Sequence, residues 1–346
     1  MPYEYCVIGN GLLGAAIALE LAHKSPDVCV LGAAYGQQDR YYSSHEDDSR
    51  IARLWHRDPY WQDLARRNAT MLEALAESTP LPIFQRTPVV YSFCSGDEPE
   101  TMCGLRRVSR PSPYADRFQY EEDTWGGIIE PKTYIAALNE QARLRRATII
   151  QCVVQNIKWD AGNAIVSTTA GEICSKRIVN ARGVYFDHEG MPADVEVVGK
   201  ILVYLESEHH QRGSPYCLID SSGCTDLFED VYGIVQYKAS GNHWVSKFGF
   251  SERHPVTLGS TAEIAAWFQA DYHSHPYVAY AKELWKTLFS DEVVHAYARP
   301  CAFVVTSDRR PILSVDDHHC SIAGCNGMAA KCCQALAEKL IQLWNV

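Results

Sequence analysis

The stretch Tyr3-Glu4-Tyr5-Cys6-Val7-Ile8-Gly9-Asn10-Gly11-Leu12-Leu13-Gly14 decides the fold of this chain. Its opening, Tyr3 to Ile8, reads as a short buried strand, and the alanine- and leucine-rich run Ala15 to Ala22 continues the glycine turn as a helix. Strand, GxGxxG and helix in that order form the dinucleotide-binding fingerprint. Gly9 permits the tight turn, Gly11 lets the backbone approach a pyrophosphate, and Gly14 lets helix and strand pack closely. The helix start at Leu12 and Leu13 offers unpaired N–H groups and a positive dipole end to phosphates. A glycine turn without a ligand is the alternative, and the flanking strand and helix weigh against it.

A second strand is read at Asp27 to Leu31, and in this pattern it ends in an acid that holds a ribose hydroxyl. Gly32-Ala33-Ala34 stands there instead, with no acid before Asp39. Weaker adenosine binding, a contact from elsewhere, or a decayed site would each account for that gap.

At 346 residues, 47% of them hydrophobic, the chain is long enough for two domains that share one ligand crevice. A formal charge of −10 argues against nucleic acid or an anionic membrane as partner. No uninterrupted apolar run of about 18 residues is present, so no membrane span is expected. With a strand beginning at Tyr3, no signal peptide is expected, and Leu343-Trp344-Asn345-Val346 is not a Ser-Lys-Leu peroxisomal signal. Thirteen cysteines at scattered spacings, without paired CxxC elements, predict reduced, mostly buried thiols and no metal site. Cytoplasmic residence, as a monomer or small homo-oligomer, is the expectation.

Along the chain, a polar stretch covers Gly36 to Ser49, and a helical pattern is read from Arg50 to Leu75. Pro82 to Cys94 alternates like a strand pair, and Cys103 to Thr124 reads as a polar surface excursion. Lys132 to Arg146 is a helix with Tyr134, Leu138 and Ala142 on one face. Strands are read at Thr148 to Val153, Asn156 to Trp159, Ala164 to Thr168, Lys176 to Gly183, Val195 to Glu206, Val231 to Tyr237, His243 to Phe250 and near Cys320 to Ala323. Helices are read at Ser260 to Ala270, Tyr277 to Phe289 and Met328 to Trp344. The alternation predicts an α/β (α+β) two-domain chain. A discontinuous Rossmann-type nucleotide-binding domain takes 1–80, 130–197 and 302–346. An inserted domain with a mixed or antiparallel sheet, for substrate, takes 81–129 and 198–301.

Several segments resemble the sarcosine oxidase-like flavoenzymes of the D-amino acid oxidase superfamily. Ser44-His45-Glu46-Asp47-Asp48-Ser49-Arg50-Ile51-Ala52-Arg53 is similar to the family's Ser-His-x-x-Asp-Thr-Arg-Ile-x-Arg segment. Gly126-Gly127 to Pro131 resembles the entry to its next helix. Asn180-Ala181-Arg182-Gly183 stands where the family has a small-residue turn beside FAD, with Arg182 unusually large. Ser246-Lys247-Phe248-Gly249 resembles the strand carrying the flavin-facing lysine, and Cys301 to Asp308 the segment with the covalent flavin cysteine. Gly324-Cys325-Asn326-Gly327-Met328-Ala329-Ala330-Lys331 resembles the closing Gly-x-x-Gly-x-x-x-Lys turn.

The resemblance implies FAD, held by Gly9, Gly11, Leu12, Leu13, Gly14, Ser44, His45, Arg50, Ala181, Gly183, Gly324, Asn326, Gly327, Met328 and Lys331, and tethered through Cys301. It implies oxidation of an amino acid C–N bond, then reoxidation by O2 with release of H2O2. Arg53 and Lys331 match a pair that holds the substrate carboxylate, a fork and a point charge. On residue type alone Arg53 reads rather as a solvated helix charge, with Arg57, Arg66 and Arg67 following it, and the motif match reverses that reading. Lys247 shares a strand face with Val245 and Gly249; it is either a snorkelling edge lysine or, as the resemblance implies, the cation that stabilises charge during oxygen activation. Arg50 would then lie near the other flavin face and favour the reduced, anionic ring. Cys301 needs its thiolate for attachment, and Arg299 is the neighbouring cation; an inert buried cysteine is the alternative.

Met328 and Ser251 stand where sarcosine oxidase has histidines, and Phe303 where it has a tyrosine. These changes remove polar groups near the substrate, so an amino acid other than sarcosine is expected. A flavin dehydrogenase with another electron acceptor and a degenerate flavin-binding scaffold are the competing readings. A nicotinamide dehydrogenase rests on the N-terminal fingerprint alone.

Overall fold

The computed structural model describes residues 2–33, 44–45, 47–94, 104–108, 117–122, 125–186, 195–210, 215–220, 228–238, 244–289 and 292–346. Tyr3–Ile8 is the central strand of the first sheet, parallel to Val28–Gly32 on one side and to Gly171–Asn180 on the other. Thr148–Gln151 extends the first edge in parallel, while Val154–Asp160 and Asn163–Thr168 continue the other as antiparallel strands. His319–Ala323 pairs in parallel with the end of Gly171–Asn180 and brings the last strand to the tip of the glycine turn. The buried run Cys6-Val7-Ile8 suits a strand covered on both faces. Helix Leu12–Ala22, nearly all buried, packs against helices Pro131–Leu144 and Ala329–Trp344. This is a Rossmann-type arrangement.

The second sheet is built on Val195–Ser207, which pairs antiparallel with Trp244–Glu252, Val256–Leu258 and His295–Thr306. Phe228–Lys238 and Tyr216–Asp220 carry it on to Val89–Cys94, the latter pair parallel and the rest antiparallel. Helix Pro276–Leu288 covers one face through Ala281, Leu284, Trp285 and Leu288, which join Phe228, Phe248 and Phe250 in one core. A small sheet of Arg50–Arg53, Gly126–Ile129 and Phe84–Arg86 accompanies the two large ones. The fold is therefore mixed α/β, with a largely antiparallel sheet inserted in the chain order of a dinucleotide domain.

Three sequence expectations need correction. Residues 50–75 are not one helix: Arg50–Arg53 is a strand paired with Gly126–Ile129, and the helix is Pro59–Glu77. The start signal is Asp58-Pro59, where the Asp58 side chain accepts from the Tyr60 N–H at 2.9 Å. Pro82 to Cys94 is not a strand pair either, because Phe84–Arg86 and Val89–Cys94 belong to different sheets. The described parts of Cys103 to Thr124 are not an excursion: Arg117–Glu122 pairs with Val89–Cys94, and Leu105–Val108 pairs with Arg117–Glu122 at the sheet edge. Most of the polar stretch from Gly36, and His243 at the start of its strand, lie outside the described residues. Among the described residues, ten cysteines are free thiols, and no helix is long and apolar enough to cross a membrane.

Candidate functional site

A cavity of about 1190 Å³ opens where the first sheet meets the strands of the second. Gly9, Gly11, Leu12 and Leu13 form its first end. Gly9 has φ +108°, and a Cβ there would lie 2.3 Å from the Ala181 carbonyl oxygen, so turn and neighbouring strand touch through backbone. Gly11 caps the helix without any side-chain hydrogen bond, which leaves the first helical N–H groups facing the cavity. Gly14 does not line the cavity; it seals the helix onto the turn, its missing Cβ lying 1.6 Å from the Gly9 oxygen. At the end of the second strand a Cβ on Gly32 would stand 2.5 Å from Asn10 Cβ and 2.9 Å from Asn10 N, so the glycine turn occupies the ribose-acid position. The buried Asn10 Oδ1 has no hydrogen-bond partner among the described residues.

Ser44, His45, Arg50, Arg53, Ala181, Gly183, Lys247, Cys301, Gly324, Asn326, Gly327, Met328 and Lys331 all line the same cavity, drawn from both large sheets and the small one. Alternation in Trp244–Glu252 puts Lys247, Gly249 and Ser251 on the cavity wall, and alternation in His295–Thr306 does the same for Cys301, Phe303 and Val305. Asn326 adopts φ +50°, donates to the Gly324 carbonyl and accepts the Thr306 N–H at 3.1 Å, which fixes the closing turn.

The charges are arranged around one carboxylate. Lys247 Nζ donates to Asp47 Oδ2 at 2.6 Å, and Arg50 donates to Asp47 Oδ1. Burial and the Arg50 cation push the Lys247 ammonium down to about 8, against the pull of Asp47. Burial works to raise the Asp47 carboxyl, yet Arg50 and Lys247 hold it below the ordinary carboxylate range. Burial, with Arg50 beside it, drives His45 down to about 4, so its imidazole is neutral next to the glycine turn. Burial pushes the Cys301 thiol up to about 11, with Arg50 and Lys247 drawing it back. The sequence pointed to Arg299 for that role; its guanidinium instead sits over the Tyr204 and Tyr297 rings, 5.5 and 5.3 Å from their centroids.

Elsewhere on the cavity wall, Arg53 donates to the Trp55 carbonyl at 3.2 Å, and Lys331 is buried. His56, passed over in the sequence, lines the cavity and feels the charge of both cations. Burial, then Arg53 and Lys331, push it down to about 3. Its Nδ1 accepts the Asp58 N–H at 3.0 Å, so the neutral ring carries its proton on Nε2. Tyr232 and the buried Lys200–Glu252 ion pair also face the cavity. Lys200 was legible as a lysine at an inward position of an apolar strand; Asp47 lay inside a quoted motif but at one of its unspecified positions.

The fold is shared with solved proteins of low sequence identity. NikD, "an unusual amino acid oxidase essential for nikkomycin biosynthesis", superposes with a TM-score of 0.74 at 17% identity over 97% of this chain and 94% of its own. L-proline dehydrogenase from P. horikoshii gives 0.72 at 14% identity, covering 99% and 93%, and glycine oxidase from Geobacillus kaustophilus gives 0.67 at 16%, covering 99% and 95%. No match is found among curated protein sequences. The sequence pattern of the DAO family, FAD dependent oxidoreductase, matches residues 4–343. Because that match runs through the glycine turn, both large sheets and every segment of the cavity wall, the chain belongs to the FAD-dependent oxidoreductase family.

Proposed function

We propose that this flavoenzyme oxidises the C–N bond of an amino acid of the secondary or cyclic amine type, other than sarcosine, to an imine, with O2 as electron acceptor and H2O2 as second product. The observation that supports the reading is the meeting of the Gly9–Leu13 cradle with Lys247, Cys301, Arg53 and Lys331 in one cavity. FAD, when bound, takes up the electrons leaving the C–N bond and passes them to oxygen. The residues present fit it: Gly9 and Gly11 line the cavity without side chains, and the uncapped helix start suits a pyrophosphate. Gly9, Gly11, Leu12, Leu13, Ser44, His45, Ala181, Gly183, Gly324, Asn326 and Gly327 would hold it. Segments 1–80, 130–197 and 302–346 are assigned to the cofactor, and 81–129 with 198–301 to the substrate.

Arg53 and Lys331 bind the carboxylate and orient the amine, and Met328 and Phe303 present an apolar wall to the substrate body. His56 offers an Nε2–H donor on the same cavity wall without adding charge. Replacing Arg53 by leucine is expected to lower kcat/KM about 10- to 100-fold, the worth of a charged hydrogen bond to substrate, with flavin content unchanged. Steady-state kinetics beside the visible spectrum checks it, and an unchanged KM would remove Arg53 from substrate binding.

Cys301 lies in the wall near Arg50 and Lys247, which supports assigning it the tether to the cofactor. After acid precipitation the yellow colour is expected in the pellet for the wild type and in the supernatant for Cys301→Ser. Colour released from the wild type would leave Cys301 as a buried thiol. The function itself is tested by oxygen uptake and peroxide release over a panel of N-methylated, cyclic and glycated amino acids. Amine-dependent dye reduction without oxygen uptake would shift the reading to a dehydrogenase. Failure to take up FAD would favour the degenerate scaffold.

A further inference from the structure

Lys247 Nζ donates to Asp47 Oδ2 at 2.6 Å, to the Asp48 carbonyl at 2.6 Å and to the Ser49 carbonyl at 2.9 Å. An ammonium has three N–H donors, and these contacts use all of them. The other Asp47 oxygen accepts from Arg50, and the Tyr204 hydroxyl donates to Oδ2 at 3.3 Å. The Asp47 and Lys247 side chains are only 2% and 8% exposed, so the bridge is shielded from water.

We propose that Asp47 is the positioning residue of this cavity: by bridging Lys247 and Arg50 it keeps the lysine a cation, fixes it against the 47–50 segment, and leaves the trio with one net positive charge instead of two. The inference rests on the proposed role of Lys247 beside the flavin. It also sharpens that role, because a lysine with every donor engaged acts through its charge and not by a hydrogen bond to a ligand.

The other ionisable groups around Lys247 do not replace the carboxylate. Asp48 directs its side chain to Lys132 at 3.2 Å, and Glu130 accepts from the Ser49 N–H at 3.1 Å and hydroxyl at 3.2 Å. Burial raises the Tyr204 phenol and the Cys301 thiol, so both are neutral near pH 7. Arg50 repels the lysine. Without Asp47, burial and that repulsion both favour loss of the lysine proton.

The test is a 13C NMR titration of the full-length flavin-loaded protein carrying [13Cε]-lysine, with the Lys247 signal assigned by its absence in Lys247→Met. Asp47→Asn is expected to move the Lys247 midpoint to lower pH by about one unit or more, a tenfold or greater loss in proton affinity. Asp47→Glu should recover most of that drop, and Asp47→Ser, which also lacks the charge, should reproduce it if the Asn variant folds poorly. A midpoint unchanged in a folded Asp47→Asn or Asp47→Ser protein overturns the proposal. Failure of the functional reading shows separately, as oxygen uptake that Lys247→Met leaves unaltered, while the titration alone decides the bridge.

Discussion

Lys247→Met is expected to slow the oxygen-dependent half of turnover by about 10²- to 10³-fold, the loss that follows removal of one preorganised charge from a reacting centre. Methionine keeps the length of the chain and its apolar stem, so the strand Trp244–Glu252 and the cavity wall should persist. Anaerobic reduction of the flavin by amine should stay within a few-fold of wild type, because Arg53 and Lys331 are untouched. Stopped-flow spectroscopy of the two half-reactions checks both statements, and an unchanged reoxidation rate would remove Lys247 from oxygen chemistry. The pH dependence has a definite sign. Burial and Arg50 push the Lys247 ammonium down to about 8 against Asp47, and the proposed role requires the charged form. The wild-type reoxidation rate should therefore hold below that pH and fall as pH rises through it, and the methionine variant should lose this limb.

The second large effect is structural. Gly14→Ala places a methyl group 1.6 Å from the Gly9 carbonyl oxygen and 2.8 Å from its carbon. No rotamer relieves a Cβ clash, so the turn itself must move. That turn is pinned on every side: Gly9 N donates to the Leu31 carbonyl at 2.8 Å, Ala181 N donates to the Ile8 carbonyl at 2.8 Å, and Gly9 has no room toward Ala181. A loss of about 3 kcal/mol or more, at the upper end for overpacking, is expected, together with a colourless protein. Gly11→Ala is the informative contrast. Among the described residues its Cβ would meet only the His45 imidazole, at 3.3 Å from Nδ1, so the fold should survive and cofactor affinity should carry the loss. Thermal melts and the ratio of visible to ultraviolet absorbance separate the two outcomes.

What could be read in the chain follows the range of the forces involved. The glycine turn is local: three glycines, a strand and a helix within twenty residues impose the same backbone in any context, and the structure places Gly9, Gly11 and Gly14 accordingly. Alternation in Trp244–Glu252 is local as well, and it put Lys247 on an inner face. Arg50 and Arg53 misled because their spacing, continued by Arg57, imitates a helical face. Their strand exists only through its pairing with Gly126–Ile129, a partner far along the chain. The Asp47–Lys247 contact joins residues 200 positions apart, and no periodicity within either segment encodes it. Lys200, Glu252 and His56 come together in the same non-local way, which is why the motifs gave the outline of the cavity and not its charge arrangement.

The close approach of Gly32 to Asn10 has a consequence for anyone who sets out to re-engineer cofactor preference. In a dinucleotide fold the end of the second strand is the customary handle, since one acid or one arginine there switches the sugar that is read. Here the handle has been built over: any side chain at position 32 collides with the main chain of the loop it is meant to assist. Gly32→Glu alone should yield an unstable protein and not a tighter one. A carboxylate can be fitted there only after residue 10 is displaced, so the swap that needs one codon elsewhere needs a rebuilt loop in this chain.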